Sequence, residues 1–321
     1  MSLGRLSQLK CKSTALTAGK DRQPEAAVVS APAVAYSVYG VLPMFSSRIK
    51  AALWAVNLST PVVDFGGWLS LIQHQLRRAT DYGCDLLVMP EYACMQLLHY
   101  APADLSSKDQ PLWLGRQFIG NAGDRLASIP PYHQGQSSAA PLGILAGTAP
   151  ILRSHGLCTN TAIWLSNGHA SAIQDKIHLT LSETDPHGWL LSSGRDIMPF
   201  EYRGHIMAVS ICHDNDVAAT GSKLKSLGVE IVLAPSMCDS KSTGADSHEH
   251  IFAAARQRGL DAGAKVYAVG AIGMAGGETC WGGAAIYDAQ GHTLGEIPAM
   301  KETDNMYGPM LVELDDGVRV I

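Results

Sequence analysis

The chain has 321 residues, of which 24 are Lys or Arg and 29 are Asp or Glu, giving a formal net charge of −5 at pH 7. Its hydrophobic fraction of 46% supplies a sizeable core and excludes wholesale disorder, which needs low hydrophobicity and high charge. No block of basic residues provides an electrostatic footprint for nucleic acid, so we predict no nucleic-acid partner.

Residues 1–45 differ in composition from the rest of the chain. Residues 26–45 are apolar over nearly the length of a membrane span, but two prolines and a glycine interrupt them. We predict an N-terminal extension over 1–45, either flexible or the result of a start site placed too early, since Met44 stands just before the first strand. A cleaved or anchoring segment is the alternative, and a targeting role for 1–45 stays open. Residues 46–321 are predicted to form a single domain.

Hydrophobic periodicity predicts alternating strands and helices from residue 48 onward. The predicted strands cover residues 48–56, 85–89, 143–148, 160–166, 170–178, 205–212, 230–235, 265–271, 283–288, 292–297 and 310–314. The predicted helices cover residues 65–82, 111–127, 215–228 and 246–262. Asn167–Gly168 and 288–291 are hairpin turns in this scheme. Strand–helix alternation mixed with hairpins indicates an α/β domain whose mixed sheet or sheets are covered by helices.

The seven cysteines are widely spaced and contain no CxxC pair, which excludes zinc-ribbon and thioredoxin-type motifs. In a chain of this length we interpret them as reduced intracellular thiols, one of which could be catalytic. This interpretation predicts a cytoplasmic protein with no membrane partner.

Three apolar strands end on reactive side chains: a carboxylate at Glu91, an ammonium at Lys176 and a thiol at Cys212. Ligands of open α/β sheets bind outside the carboxyl ends of the strands, so these three groups could converge there. A carboxylate can take the proton of an attacking thiol, and a lysine can stabilise the resulting oxyanion. Each residue could instead have a purely structural role. Most buried cysteines, for example, are inert core thiols.

The surrounding motifs resemble those of the nitrilase superfamily of carbon–nitrogen hydrolases. The segment 85–91 is similar to its glutamate motif, 175–179 to its lysine motif and 209–214 to its nucleophile motif, in the family's order. The late hairpin 283–291 also fits, and the resemblance covers about residues 48–315.

This resemblance implies a four-layer α-β-β-α sandwich and hydrolysis through a thioester intermediate. It implies Glu91 as the general base, Lys176 as the oxyanion stabiliser and Cys212 as the nucleophile. Glu183 matches a second glutamate that supports the site, and the backbone N–H of His213 would be the second oxyanion donor. The family implies no metal or organic cofactor, and pairing into a homodimer or higher homo-oligomer.

The turn after Cys212 departs from the pattern of carboxylate-binding members, because it contains no arginine. Asp214 and Asp216 could instead favour a neutral or cationic substrate; alternatively, Asp214 accepts backbone N–H groups at the start of a helix.

Further pocket candidates are aromatic or imidazole side chains near strand ends. These are Tyr92, His178, Trp189 and Trp281. His178 could line the site or simply complete a hydrogen bond. The sequence Ser247–His250 lacks the spacing of a metal motif on a helix, so we expect no metal there.

The leading hypothesis is a thiol-dependent hydrolase of a small linear amide or carbamoyl compound that consumes water and releases ammonia. Three alternatives remain at this stage: a nitrilase using the same three residues, an acyltransferase, and a catalytically idle binding or scaffold protein.

Overall fold

The computed structural model describes residues 48–127, 142–154, 156–166, 169–238 and 245–321. The strands, in chain order, are β1 Ala51–Trp54, β2 Leu86–Val88, β3 Gly143–Leu152, β4 Cys158–Ser166, β5 His169–Asp175, β6 Phe200–Tyr202, β7 His205–Val209, β8 Ile231–Ser236, β9 Lys265–Gly270, β10 Gly273–Ala275, β11 Glu278–Cys280, β12 Gly282–Tyr287, β13 Thr293–Met300, β14 Met310–Leu314 and β15 Gly317–Val320. The α-helices are α1 Phe65–Asp81, α2 Gln110–Ala127, α3 Leu181–Thr184, α4 Ala218–Ser226 and α5 Ala245–Ala262. Three 3₁₀ segments cover Ala93–Tyr100, Ser107–Asp109 and Cys212–Asp216.

Two mixed sheets contain most of these strands. The seven-stranded sheet has the order β15-β14-β1-β2-β3-β4-β5, and the six-stranded sheet has the order β13-β12-β9-β8-β7-β6. Each sheet has a parallel centre, β1-β2-β3 in the first and β7-β8-β9 in the second, flanked by antiparallel strands. The parallel strands of each sheet therefore end at a common edge, where loops can gather functional groups.

The two sheets pack face to face, and helices cover their outer faces. The inner core joins Leu53 and Val88 of the first sheet to Met207, Leu233 and Val269 of the second. Helices α1 and α2 pack on the outside of the seven-stranded sheet, and α4 and α5 pack on the outside of the six-stranded sheet. The predicted α-β-β-α sandwich is confirmed.

Helix α1 shows how local sequence defines an element. The Asp64 carboxylate caps its start by accepting the N–H of Gly67 at 2.7 Å. An apolar stripe recurs at the helical period and packs against the sheet; it consists of Phe65, Trp68, Leu69, Ile72, Leu76 and Ala79. The sequence prediction of 65–82 differs from the observed helix by one residue.

Two predicted strands end three residues earlier in the structure, and the helix that follows one of them begins later than predicted. The strand predicted over 170–178 ends at Asp175, because the N–H groups of Ile177 and His178 bond to the Asp214 carboxylate and not to a neighbouring strand. The strand predicted over 205–212 ends at Val209, and a 3₁₀ turn follows at Cys212–Asp216. The helix predicted over 215–228 therefore begins only at Ala218.

The remaining predictions concern the chain ends and turns. The hairpin predicted around Asn167–Gly168 has its turn outside the described residues, although the flanking strands β4 and β5 pair antiparallel. The hairpin at 288–291 is present between β12 and β13. Residues 1–45 also lie outside the described residues, which all belong to one compact unit, Phe45–Ile321. Within the described ranges, no helix has the length and apolarity to cross a membrane.

Candidate active site

Strand ends from both sheets bring the three predicted groups together. Glu91 follows β2, Lys176 follows β5, and Cys212 follows β7. The Lys176 ammonium donates to Oε1 of Glu91 at 2.9 Å, and the Cys212 thiol donates to the carbonyl of Met237 at 3.8 Å. Glu91 and Cys212 lie close enough for each to shift the pKa of the other. All three side chains are buried.

Glu91 sits within a nearly complete set of hydrogen bonds. Its Oε1 accepts from Lys176 at 2.9 Å and from the side-chain amide of Asn160 at 2.8 Å. Its Oε2 accepts the backbone N–H of Met237 at 2.9 Å. These donors stabilise the ionised carboxylate in a place where burial alone would neutralise it.

Glu183 accepts more hydrogen bonds than Glu91 and is tied to the same groups. Its Oε1 accepts from the Tyr92 hydroxyl at 2.6 Å and from the Asn160 amide at 3.0 Å. Its Oε2 accepts from Lys176 at 2.8 Å, and from the backbone N–H and hydroxyl of Thr180 at 2.9 and 3.1 Å. The last contacts form a capping box at the start of α3.

The environments of the two glutamates move their pKa values in opposite directions. Burial raises the pKa of Glu91, with repulsion from Glu183 adding to the effect and Lys176 opposing it. Although burial also acts on Glu183, the Lys176 charge and the bonds from Lys176, Thr180 and Tyr92 outweigh it and lower the pKa of Glu183. Carboxylates separated in this way can divide two roles, one accepting protons and the other staying ionised.

Lys176 and Cys212 both keep their protons, the first as a charged ammonium and the second as a neutral thiol. The charges of Glu91 and Glu183 overcome the effect of burial and raise the pKa of Lys176, so the ammonium stays charged. Burial, reinforced by the Glu91 charge, raises the pKa of Cys212 well above the usual thiol value. The Cys212 side chain is therefore a neutral thiol at rest, and it would need a base in order to act as a nucleophile.

Cys212 lies on a tight turn that presents its side chain to this cluster. Its φ of 46° is left-handed, a conformation that costs a non-glycine residue about 1–2 kcal/mol. Asn215 holds the turn by donating to the carbonyls of Ser210 and Cys212 at 3.2 and 3.0 Å, while the Ser210 hydroxyl donates back to it at 2.7 Å. The strand cannot continue through such a turn, which explains its end before residue 212.

The segment carrying Glu91 is also tightly fixed. Tyr92 has a left-handed φ of 53°, and its backbone N–H donates to the Thr148 hydroxyl at 3.0 Å. Strand β3 approaches closely at Gly147, where a Cβ atom would lie 2.2 Å from the carbonyl oxygen of Pro90. Only glycine fits that approach, and its φ of +70° favours glycine as well.

Asp214 ties the lysine segment to the nucleophile turn. Its buried carboxylate accepts the backbone N–H groups of Ile177 and His178 at 3.1 and 2.7 Å, and that of Ile211 at 3.3 Å. Nδ1 of His178 also lies 3.1 Å from it. This geometry supports the alternative in which Asp214 serves the backbone, and it gives His178 a hydrogen-bonding role.

The other predicted pocket residues are distributed around this cluster. Trp189 packs edge-on against the Tyr92 ring, with the ring centroids 4.8 Å apart. The Trp281 backbone N–H donates to the carbonyl of Cys238, next to the residue that contacts Glu91. Asp216 faces two imidazoles instead: Nδ1 of His213 at 2.6 Å and Nε2 of His250 at 2.8 Å.

The sequence analysis did not predict two of the groups that contact Glu91, the Asn160 side chain and the Met237 N–H. Asn160 is the third residue of β4, between two threonines, and the available signal was an asparagine within a strand, where this residue type is depleted. Met237 contributes a backbone N–H, which has no signature in the sequence. The described residues contain no group of three or more His, Cys, Asp or Glu side chains arranged to hold a metal ion.

A family model described as carbon-nitrogen hydrolase matches residues 50–312. The chain belongs to the carbon–nitrogen hydrolase family. Its predicted place in the nitrilase superfamily is thereby confirmed, and the family makes it a hydrolase. No curated protein sequence matches the chain.

Solved structures share the fold at low sequence identity. An amidase from Nesterenkonia sp. AN1 superposes with a TM-score of 0.61 at 18% identity, over 85% of this chain and 92% of that one. A carbon–nitrogen hydrolase from Helicobacter pylori G27 gives 0.61 at 15% identity, over 79% and 87% of the chains. A glutamine-dependent NAD⁺ synthetase from Acinetobacter baumannii gives 0.63 at 17% identity over 85% of this chain, but the match spans only 47% of the synthetase.

Proposed function

We propose that this hydrolase cleaves the carbon–nitrogen bond of a small amide through a thioester on Cys212 and releases ammonia. The observation that carries the proposal is the buried cluster in which Glu91 accepts a hydrogen bond from Lys176 and interacts electrostatically with the nearby Cys212 thiol. In a Glu-to-Gln mutant of the amidase from Nesterenkonia sp. AN1, the acetamide moiety of fluoroacetamide is covalently added at the active-site cysteine. That observation concerns a protein of the same fold and supports a cysteine nucleophile here.

In the first half-reaction Glu91 acts as the base. As the Cys212 sulfur attacks the amide carbon, its proton moves to Glu91, and the carbonyl electrons move onto the oxygen. An ammonium group has three N–H donors. Two of those on Lys176 reach Glu91 and Glu183, and the third serves the new oxyanion together with the backbone N–H of His213. The C–N bond then breaks as nitrogen takes the proton from Glu91, and ammonia leaves a thioester.

In the second half-reaction water hydrolyses the thioester, and Glu91 again acts first as the base and then as the acid. Glu91 takes a proton from the attacking water, and the second tetrahedral intermediate collapses with cleavage of the C–S bond. The released sulfur recovers its proton from Glu91, and the carboxylic acid product departs. The raised pKa of Glu91 suits this exchange, because a base works best when its pKa lies near the working pH.

The charges of the cluster favour an uncharged acyl group. Lys176 is already offset by two carboxylates, which leaves the described site with a net negative charge when the thiol is neutral. A substrate carboxylate placed beside it would meet repulsion at low dielectric. We therefore propose short neutral amides ahead of carbamoyl amino acids.

The test is ammonia release from a panel of short aliphatic amides, ω-amides, carbamoyl amines and nitriles. Wild type should release ammonia from the short amides, and Cys212→Ala should abolish release. The matched control is Cys84→Ala, because Cys84 is a buried thiol whose pKa burial raises to about 12. Release that persists in Cys212→Ala, or no release from any amide, would overturn the proposal; turnover confined to nitriles would favour a nitrilase.

The proposal extends to the oligomeric state and the cellular location. The family resemblance favours a homodimer or higher homo-oligomer, which sedimentation analysis would measure. The reduced thiols favour a cytoplasmic location.

A further inference from the structure

We propose that Asn160 is a positioning residue that reserves one oxygen of Glu91 for the thiol proton. This inference rests on the proposed function, in which Glu91 is the base. Asn160 is fully buried in β4. Its amide nitrogen donates to Oε1 of Glu91 at 2.8 Å and to Oε1 of Glu183 at 3.0 Å. The residue thus touches both carboxylates of the cluster.

Counting acceptor positions shows what Asn160 does to Glu91. A carboxylate offers about four lone-pair positions, two on each oxygen. Lys176 and Asn160 occupy both positions on Oε1, and the Met237 N–H occupies one on Oε2. The remaining position on Oε2 is left for the Cys212 thiol, which at rest donates to the carbonyl of Met237 at 3.8 Å, the residue whose N–H binds that same oxygen. Proton transfer is thereby directed to a single oxygen.

The arrangement around Asn160 closes a ring of four side chains. Lys176 and Asn160 each donate to both Glu91 and Glu183, so each carboxylate is bridged twice. Lys176 supplies the charge, whereas Asn160 supplies a second bridge without changing the net charge. The bridge keeps the two carboxylates at a fixed separation while Glu91 gains and loses a proton.

The other end of the Asn160 side chain argues against a purely structural role. Its Oδ1 is buried and has no hydrogen-bond partner among the described residues. A buried acceptor without a partner is costly, and a purely structural position would favour a side chain without that liability. The two glutamates alone set the amide orientation, because the reverse orientation would direct Oδ1 at two carboxylates.

Removing the amide should make Glu91 harder to ionise. A hydrogen bond to the charged form of a carboxylate lowers its pKa, and such a bond is worth about one pKa unit. In the pH profile of Cys212 alkylation, the acid limb is the pH range over which the rate falls as Glu91 becomes protonated. In Asn160→Ala this limb should therefore move to higher pH by about one unit. Below the limb the variant should react roughly tenfold more slowly than wild type, and the two should converge at higher pH.

The primary readout is the rate of Cys212 alkylation by iodoacetamide against pH, followed by mass spectrometry of the Cys212 peptide. This assay needs no substrate, so a failure of the amide panel leaves it interpretable. The control is Thr161→Val on the same strand; Thr161 is fully buried and donates to Asp175 at 2.7 Å, away from both glutamates. That variant loses the hydrogen bonds of the Thr161 hydroxyl with Asp175, Arg153 and Thr159, and it should keep the wild-type limb.

A second variant keeps the inference testable if the Asn160→Ala protein does not fold. Asn160→Asp is nearly isosteric and places a third carboxyl group against two others, so its limb should lie at still higher pH than that of Asn160→Ala. A folded Asn160→Ala protein whose limb coincides with wild type would overturn the inference. So would a Thr161→Val limb that shifts equally, since that would make the effect a general response to lost strand hydrogen bonds.

Discussion

Replacing Glu183 with glutamine tests whether the second glutamate is a permanent anion of the site. Glutamine has the same shape, but one of its two terminal atoms is an NH₂ donor. Placed at the Oε1 position, the NH₂ meets the donating amide of Asn160; placed at the Oε2 position, it meets the Lys176 ammonium and the Thr180 N–H. Neither orientation satisfies all the donors that now point at Glu183.

The loss can be estimated from the bonds affected. At least one charge-assisted hydrogen bond is lost and one buried donor is left unpaired, which together cost about 3 kcal/mol. The cost should fall at the low end for a broken buried pair, because Lys176 keeps its contact with Glu91. For a domain of this size, about 3 kcal/mol corresponds to a decrease in Tm of about 5 °C. Thermal unfolding of the purified variant measures it.

Glu183→Gln should also shift the pH dependence of Cys212 alkylation to lower pH. Repulsion from Glu183 raises the pKa of Glu91, so its removal should lower that pKa and move the acid limb of Cys212 alkylation to lower pH. The control is Glu201→Gln on β6, where the side chain is exposed. A Glu183→Gln protein with wild-type Tm and an unmoved limb would refute the role assigned to Glu183.

Three further predictions test the site and the fold. Because burial raises the pKa of Glu91, kcat/KM should fall on the acid side at a pH above the usual glutamate value of about 4.3, and Glu91→Gln should lose nearly all turnover. Glu313 is fully buried between Lys265 and Tyr267, so Glu313→Gln should lower Tm by several degrees without moving the acid limb of alkylation. Burial lowers the pKa of His248 to about 4, so the folded state binds fewer protons than the unfolded state below pH ~6.5. Stability should then fall by up to roughly 3 kcal/mol as pH drops from about 6.5 toward 4, and urea unfolding of His248→Gln should show a weaker pH dependence.

The sequence predicted the long elements well, because their periodicity reflects burial. Helix α1 and the parallel strands near Val88, Leu233 and Val269 carry strong apolar patterns that follow the layers of the sandwich. The short strands β6, β10, β11 and β15 were not predicted, since three or four residues cannot establish a period of two. Their pairing depends on neighbouring strands that are distant in sequence.

The end of β7 shows where local pattern is overruled. The run 205–212 is apolar throughout and was predicted as one strand. The structure ends the strand at Val209 because the side chains of Asn215 and Asp214 bond to the backbone of the following turn. Cys212 then adopts a left-handed conformation, which no hydrophobic pattern encodes. Such strained positions are typical of functional sites, where surrounding contacts hold them in place.

The candidate site was predictable to the extent that its groups stand at strand ends. Glu91, Lys176 and Cys212 were found in that way, whereas Asn160 and the Met237 N–H required the register of strands β3 to β5 and the path after β8. Asn160 and the Met237 N–H are the two neutral donors that stabilise the charge of Glu91. Without them, Glu91 would be a buried carboxylate facing only one cation and another carboxylate. Burial would then favour its protonated form. The two neutral donors keep Glu91 ionised, while its pKa stays high enough for the carboxylate to take a proton. A second cation would lower that pKa and abolish the balance.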